Sequence, residues 1–590
     1  MAFVVRFGSP HLARQILSFI PSNTLEGIFV NTGISRRGFL SAATALGAAG
    51  ATAVGAAVQP AAATPIRSTS RRSQLPAPST IDVTDPALLS ATEAASLLQE
   101  GVLHPRELLD ACLTRSHEYD GEIGSWIRIY PEVAYDAAEK AAQRLSAAGR
   151  TSNGEAPPLV CGLPIALKDL FAVSGLPVTA SSRVLEGNIA AGDSTVWHRL
   201  SDAGMVLMGH AHCDEFAIGV ATAQVGNPWN TEYSPGGSSG GSAAVLAARF
   251  SPLATGTDTG GSLRLPASAT GITSVKPTFG RCSTYGTIPL NWTRDHTGPM
   301  ARSAADASLL LSYMAGVDVN DPTTSVGPPV PAEGYPLAAQ GGQSPLAGRR
   351  FGIPRKGVDK LPASLGTLFA AFTDTVVALG GTLVDVTMPT YPTGLLTGDM
   401  AEAGNYHQQF ADRIGLYKPE RALFVGQALA SMAVPVSDYM TLAHNRLRYQ
   451  HDYNRMLSEH NLDAILVPGA SVDGSKRSEV AGIALFDGVT ADVAWANYTG
   501  APVVTTPAGR SKETGLPFGV QLGGRMWDEA GLIQIALELQ AVQPFWQEAP
   551  PVTRNPRKIP TTALTQPGLG PDPTNTQNVG FSFRFVPTSA

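Results

Sequence analysis

The chain is short of charge. Of its 590 residues only 15% are Lys, Arg, Asp or Glu, against about 25% in an ordinary soluble domain. With 42 basic and 48 acidic residues the net charge is −6, and no basic stripe is present to hold a phosphate backbone, so nucleic acid is not an expected partner. No polybasic run marks a helix that would lie on a membrane surface. Cysteine is scarce as well: Cys112, Cys161, Cys213 and Cys282 are the four present, none in a C-x-x-C pair. That spacing builds no zinc site and the string HExxH is missing, so a metal site is not expected. What remains is apolar. Hydrophobic residues make up 43% of the chain, ample for a large packed core.

The amino-terminal stretch "ISRRGFLSAATALGAAGATAVGAAVQPAAATP" pairs Arg36 and Arg37 with a weakly apolar run of alanine and glycine. It resembles a twin-arginine export signal, with Ala61–Ala63 satisfying the small-residue rule for cleavage before Thr64. Periplasmic or extracellular location is therefore expected, with no stable membrane insertion after signal removal, because alanine and glycine make a poor span. A buried helix or an anchor behind two incidental arginines is the alternative. The twin-arginine route exports proteins already folded in a reducing compartment, so the four cysteines are expected as buried free thiols. The chain divides into four segments: a signal region over 1–63, a Ser/Pro/Arg-rich linker over 64–80, a catalytic domain over 81–545 and a Pro-rich tail over 546–590.

Within the third segment, helical and strand-like patterns alternate. "GLPIALKD", "MVLMG", "LATGTD", "TLVDVTM", "AILVP", "APVVTTPAG" and "GVQLGG" read as strands. Between them, "DSTVWHRLSDAG" reads as a helix capped by Asp193 and stopped by Gly204, and "SAAVLAARF" and "DEAGLIQIALELQ" also read as helices. The alternation predicts an α/β fold: a large, mixed, mostly parallel sheet with α-helices on both faces. In the tail, "GFSFRFV" alternates as one further edge strand would.

The chemistry centres on "SPGGSSGGS", residues 234–242. A phosphate-binding P-loop needs a lysine after its last glycine, and none is present there. The string Gly236–Gly240 satisfies the G-x-S-x-G of a nucleophile elbow, but that elbow needs an apolar strand before it, and "NPWNTEYSPGG" is polar and turn-rich. A second serine, Ser262, comes after Gly260 and Gly261 just past an apolar run. Glycines beside a nucleophile let backbone N–H groups approach an oxyanion. A serine also needs a base, and Lys168 at the end of an apolar strand suits, because desolvation favours its neutral form. His210, His212 and His296 read as structural rather than as bases.

The motifs "GLPIALKD", "EYSPGGSSGGSAA" and "GTDTGGSLRLPAS", in that order, resemble the amidase signature family of serine amidohydrolases. The likeness continues through "VKPTFGR", "DHTGPMARSAADASLLL", "NYTGAPVVTTPAG" and "GLPFGVQLGGR", covering roughly residues 85 to 542. It implies a Ser–cis-Ser–Lys triad. By motif position the nucleophile is Ser262, the bridging serine is Ser238, 24 positions earlier, and the base is Lys168. Backbone N–H groups of Thr259, Gly260, Gly261 and Ser262 are implied as the oxyanion hole, with Ser239, Asp258 and Arg264 supporting the loops. Asp169 would orient the lysine strand or cap the turn after it. The implied function is an exported, cofactor-free amidase that cleaves carboxamide C–N bonds through a serine acyl-enzyme and releases ammonia or an amine. Small-molecule amides or C-terminal peptide amides are the expected substrates, and a monomer or homodimer the expected state. An aryl acylamidase or esterase of the same fold is the alternative. A glutaminase subunit of a tRNA amidotransferase fits less well, since that branch works in the cytosol with partner subunits. Met400, Tyr406 and Phe410 fall where the family varies its substrate channel, but helix-core packing is the role expected of them.

Overall fold

The alternation of helix and strand condenses onto one eleven-stranded sheet in the computed structural model, which describes residues 72–147, 156–392, 395–480 and 493–562. The strands are β1 (Trp126–Ile129), β2 (Pro164–Lys168), β3 (Val206–Ala211), β4 (Leu253–Asp258), β5 (Thr273–Lys276), β6 (His296–Ala301), β7 (Arg350–Pro354), β8 (Thr382–Val386), β9 (Ala464–Pro468), β10 (Val503–Arg510) and β11 (Pro517–Gly523). Their order across the sheet is β1-β3-β2-β4-β6-β5-β10-β11-β9-β7-β8. The whole expected signal region, residues 64–71 and "GFSFRFV" lie outside the described residues.

The sheet is mixed, but the expected parallel majority is not found. Parallel pairing is confined to β3–β2–β4 and β9–β7–β8, and antiparallel pairing fills the middle. The reason lies in the connections. Residues 277–295 between β5 and β6, and 511–516 between β10 and β11, contain no helix, and without a crossover the chain simply turns back. Every residue of β2, β3, β4, β6 and β11 is buried. A strand buried along its whole length has both faces covered, as α/β layering requires.

Local details follow side-chain chemistry. The helix Thr195–Asp202 is capped by Ser194, whose hydroxyl accepts from the Trp197 N–H. Asp193, expected as that cap, accepts instead from the Ser174 N–H at 2.7 Å. Residues 72–80 form two short turns and are held to the body by Arg72 to Gln99 and by the Ser96 hydroxyl to the Pro76 carbonyl. Met400 and Phe410 are buried in a second apolar cluster with Phe216 and Tyr417, and Tyr406 packs against it, so core packing accounts for all three.

The first part of the tail wraps the body. Ile559 is buried, the Ile129 N–H donates to the Pro560 carbonyl at 2.9 Å, and Thr561 bridges Ile129 in parallel. Arg557 reaches the fully buried carboxylate of Asp120 at 2.7 Å. This segment covers the outer edge of β1, an edge that would otherwise show unpaired backbone groups. Burial raises the Asp120 carboxyl, opposed by hydrogen bonds from Ser125 and by the Arg557 charge. Removing the guanidinium leaves a buried carboxylate with one donor fewer. Arg557→Ala is expected to lower stability by about 1–3 kcal/mol, read as a lower urea midpoint at unchanged slope, with catalytic rate retained.

Candidate active site

The strand register gathers the chemistry at one edge of the sheet. β2 and β4 run parallel, with Ile165 opposite Leu253 and Ala166 opposite Ala254, so their carboxyl ends emerge together. β4 pairs antiparallel with β6, which places Asp258 opposite His296 at that edge. Sites of open α/β sheets lie at such carboxyl ends.

Lys168 is the last residue of β2 and is fully buried. Its ammonium donates to Ser238 Oγ at 2.7 Å, Thr257 Oγ1 at 2.8 Å and Ser239 Oγ at 2.9 Å. Among the described residues no carboxylate touches it. Burial pulls its pKa down from 10.5 to about 8, against opposing pulls from Cys213, Asp214, Asp258 and Asp295. Thr257 was not singled out from the sequence, although a signal was there: alternation along "LATGTD" puts Thr255 and Thr257 on one face. Both touch the lysine, Thr255 Oγ1 accepting from the Lys168 N–H at 3.3 Å.

Ser238 follows a cis peptide bond from Gly237. The turn before it needs glycine: Gly236 has φ +77°, and a Cβ on Gly237 would lie 2.4 Å from Asp214 Oδ2. The buried helix Gly240–Ala247 begins directly behind. Ser239 occupies its capping position but caps nothing, because its hydroxyl is engaged with Lys168 and the Thr257 carbonyl. Thr222 Oγ1 and the His212 carbonyl accept from the first N–H groups instead. Gly241 allows that approach, since a Cβ there would lie 2.3 Å from the His212 oxygen.

Ser262 joins the group through its backbone, its carbonyl accepting from the Ser239 N–H at 3.3 Å. Its hydroxyl makes no hydrogen bond to the described residues, and the residue as a whole is 4% exposed. The loop carrying it is shaped by Asp258. That carboxylate accepts from the Gly261 N–H at 2.7 Å and the Leu263 N–H at 3.1 Å, and pairs twice with Arg264, at 3.0 and 3.1 Å. Burial opposes ionisation of Asp258, but Arg264, Lys276 and Asn497 outweigh it and hold the carboxyl well below its usual range. Arg264 also donates to the Val493 carbonyl, Gln521 and Asn497. The Asn497 amide donates back to Asp258. Asn497 lies 239 positions from Asp258 and opens the quoted stretch "NYTGAPVVTTPAG", where nothing local says which loop it meets.

Of the four implied oxyanion donors, Gly261 is the engaged one, its N–H given to Asp258. The N–H groups of Thr259, Gly260 and Ser262 have no partner among the described residues, and the space where a Gly260 side chain would stand is open. Thr259 donates its hydroxyl to Asp295 at 2.5 Å.

The remaining residues have structural contacts. Asp169 accepts from the Thr179 N–H and hydroxyl and the Ser181 N–H, and pairs with Arg128, so it caps the turn after the lysine strand. His210 lies between the Tyr130 hydroxyl and the Phe171 carbonyl, His212 contacts Ser181, and His296 contacts the Arg294 and Asp258 carbonyls. Burial lowers the pKa of His210 and His212 to about 4, and that of His296 well below its usual value, so all three are neutral near pH 7. The four cysteines are free and buried. Among the described residues no group of side chains could hold a metal ion, and no helix is long and apolar enough to cross a membrane.

Comparison with known proteins gives one consistent picture. The amidase family profile matches residues 107–533. A glutamyl-tRNA(Gln) amidotransferase subunit of Ralstonia pickettii is 36% identical over 474 residues, covering 73% of this chain and 93% of the relative. Among solved structures, the peptide amidase of Stenotrophomonas maltophilia superposes with a TM-score of 0.65 at 25% identity, over 80% of this chain and 98% of its own. The corresponding glutamyl-tRNA(Gln) amidotransferase subunit of Thermotoga maritima gives 0.63 at 27% identity, over 82% and 99%.

The loop network makes its own prediction. Arg264 and Asp258 are both wholly buried, so Arg264→Ala strands a charge. It is expected to destabilise the protein by about 3–5 kcal/mol, measured by urea denaturation.

Proposed function

The chain belongs to the amidase family and is a hydrolase of amide C–N bonds; on that premise we propose that Ser262, Ser238 and Lys168 carry the reaction through a serine acyl-enzyme. The observation that supports this most is the 2.7 Å contact between Lys168 Nζ and Ser238 Oγ inside a buried cage of hydroxyls. An ammonium has three protons to donate and three hydroxyls to receive them. Once neutral, the amine must accept from one of them. The Ser239 hydroxyl is committed to the Thr257 carbonyl, which leaves Ser238 and Thr257, and of these only Ser238 sits on the loop hydrogen-bonded to Ser262 through Ser239.

Neutral Lys168 takes the Ser238 proton while Ser238 takes that of Ser262, whose oxygen attacks the amide carbon. The charge that gathers on the carbonyl oxygen meets the free N–H groups of Thr259, Gly260 and Ser262. Ser238 then hands its proton to the departing nitrogen, and ammonia or an amine leaves. Water repeats the relay to release the acid.

The substrates we propose are amides met outside the cell, C-terminal peptide amides or small carboxamides. Arg36 and Arg37 before an alanine-rich run support export, and the likeness to a peptide amidase supports the class. One observation favours a second reading: the amidotransferase subunits match along almost their whole length, which supports glutaminase work within a transamidating complex.

Ammonia release from amidated peptides, small amides and free glutamine tests both readings. With Ser262→Ala and Lys168→Ala, kcat/KM is expected to fall about a thousandfold or more. Full activity in either variant overturns the relay, and a preference for glutamine favours the second reading. The active amine is the neutral one, so activity rises as pH passes upward through about 8 and then levels. At pH 7 roughly one-tenth of Lys168 is neutral. A profile flat from pH 6 to 9 would contradict Lys168 as the base.

A further inference from the structure

Asp295 takes no part in the relay, yet it is buried beside it. It stands immediately before β6 and lines a small pocket with Thr257, Thr259 and His296. One carboxylate oxygen accepts the Thr259 hydroxyl at 2.5 Å. The other accepts the Leu290 N–H at 2.8 Å and the Asn291 N–H at 3.0 Å. The 290–291 segment is anchored in its turn, because Asn291 Nδ2 donates to the Asp399 carbonyl and Arg294 pairs with the Asp399 carboxylate at 2.9 Å. A single side chain thus clips the first residue of the nucleophile loop to a separately braced part of the molecule.

We propose that Asp295 is a positioning residue for the oxyanion hole, holding Thr259 by its hydroxyl so that the Thr259 N–H stays aimed at the developing negative charge. This rests on the reading of Ser262 as nucleophile and adds to it a residue that touches neither substrate nor triad. Asp258 fixes the loop from one side through Gly261 and Leu263. Among the described residues no other hydrogen bond holds the Thr259 side chain or its N–H, so Asp295 alone sets its orientation past the end of β4. Oxyanion donors work by being preorganised, and small misplacements are costly.

The clip is also sensitive to protons. Burial raises the Asp295 carboxyl to about 6, against opposing hydrogen bonds from Thr259, Leu290 and Asn291 and the charge of Arg294. Lys168 is the other cation near it, and neutral His296 stands next to it in the pocket. A carboxylate accepts all three donors. A protonated carboxyl must turn one of its oxygens into a donor, which weakens the clip. Activity therefore falls below pH 6 more steeply than Lys168 alone dictates.

The test compares pH profiles of kcat for wild type, Asp295→Asn and Thr259→Val on one amide, with Ser262→Ala alongside. Wild type is expected to show two inflections, near 8 and near 6. Asp295→Asn is expected to lose about tenfold or more in kcat at pH 8 with KM little changed, and to lose the lower inflection while keeping the upper. Thr259→Val, which removes the donor without altering charge, should show a similar loss, Thr259→Ser should restore most of it, and the Asp295→Asn/Thr259→Val double variant should lose little more than either. Wild-type kcat in Thr259→Val, a retained lower inflection in Asp295→Asn, or additive losses would overturn the proposal. If Ser262→Ala is inert while those results appear, only the Asp295 role fails. An active Ser262→Ala overturns the nucleophile reading and this proposal together.

Discussion

An amine at the inner end of β2, sealed from water and with no carboxylate of the described residues in contact, sets the terms for everything around it. Full charge there is costly, because burial disfavours the ionised form. The surroundings answer with three hydroxyls rather than an acid, which satisfies the donors without locking the proton in place. A contacting aspartate would have held Lys168 charged and useless as a base. The nearest acids act at longer range and only soften the shift. The serine-rich loop, the threonines of β4 and the unusual first turn of the Gly240–Ala247 helix are all consequences of housing that one group.

A second buried charge works in the opposite sense. Asp258 is surrounded by donors and paired with Arg264, so it stays ionised and rigid. One buried group is thus left free to change its protonation state while its neighbour is prevented from doing so. Separating two titrating groups in this way lets the same few ångströms supply both a proton carrier and a fixed scaffold. The mixed topology serves the arrangement: the parallel β2–β4 pair brings Lys168 and the Ser262 loop to one edge, and antiparallel β6 brings Asp295 back to it.

Much of this was legible in the residues. Lys168 and Ser262 stand where local chemistry points to them, a lysine ending an apolar strand and a serine behind two glycines, whereas Ser238 came from the family resemblance; the structure sets all three in one neighbourhood. "LATGTD" and "AILVP" became strands with the boundaries read from their pattern. Asn497 and Asp295 open two of the quoted motifs, yet their roles were not legible for a physical reason: their partners come from distant segments, and no periodicity records which loop will meet which. The parallel bias failed for a similar reason. Periodicity says that a strand is there, but the presence or absence of a helix in the connection decides its direction.

The strap over β1 joins Arg557 to Asp120 across 437 positions. During synthesis, β1 can pair with β3 once residue 211 has emerged. Its outer edge then waits for nearly all of the remaining chain before Pro560 and Thr561 arrive. For that interval the nascent protein carries an open strand edge, the kind of surface that templates association with other chains. A chain that stalls or is cut short before residue 557 never closes it, so the cell's quality-control machinery would meet such a product as an aggregation hazard even though every element of the proposed relay had already been made.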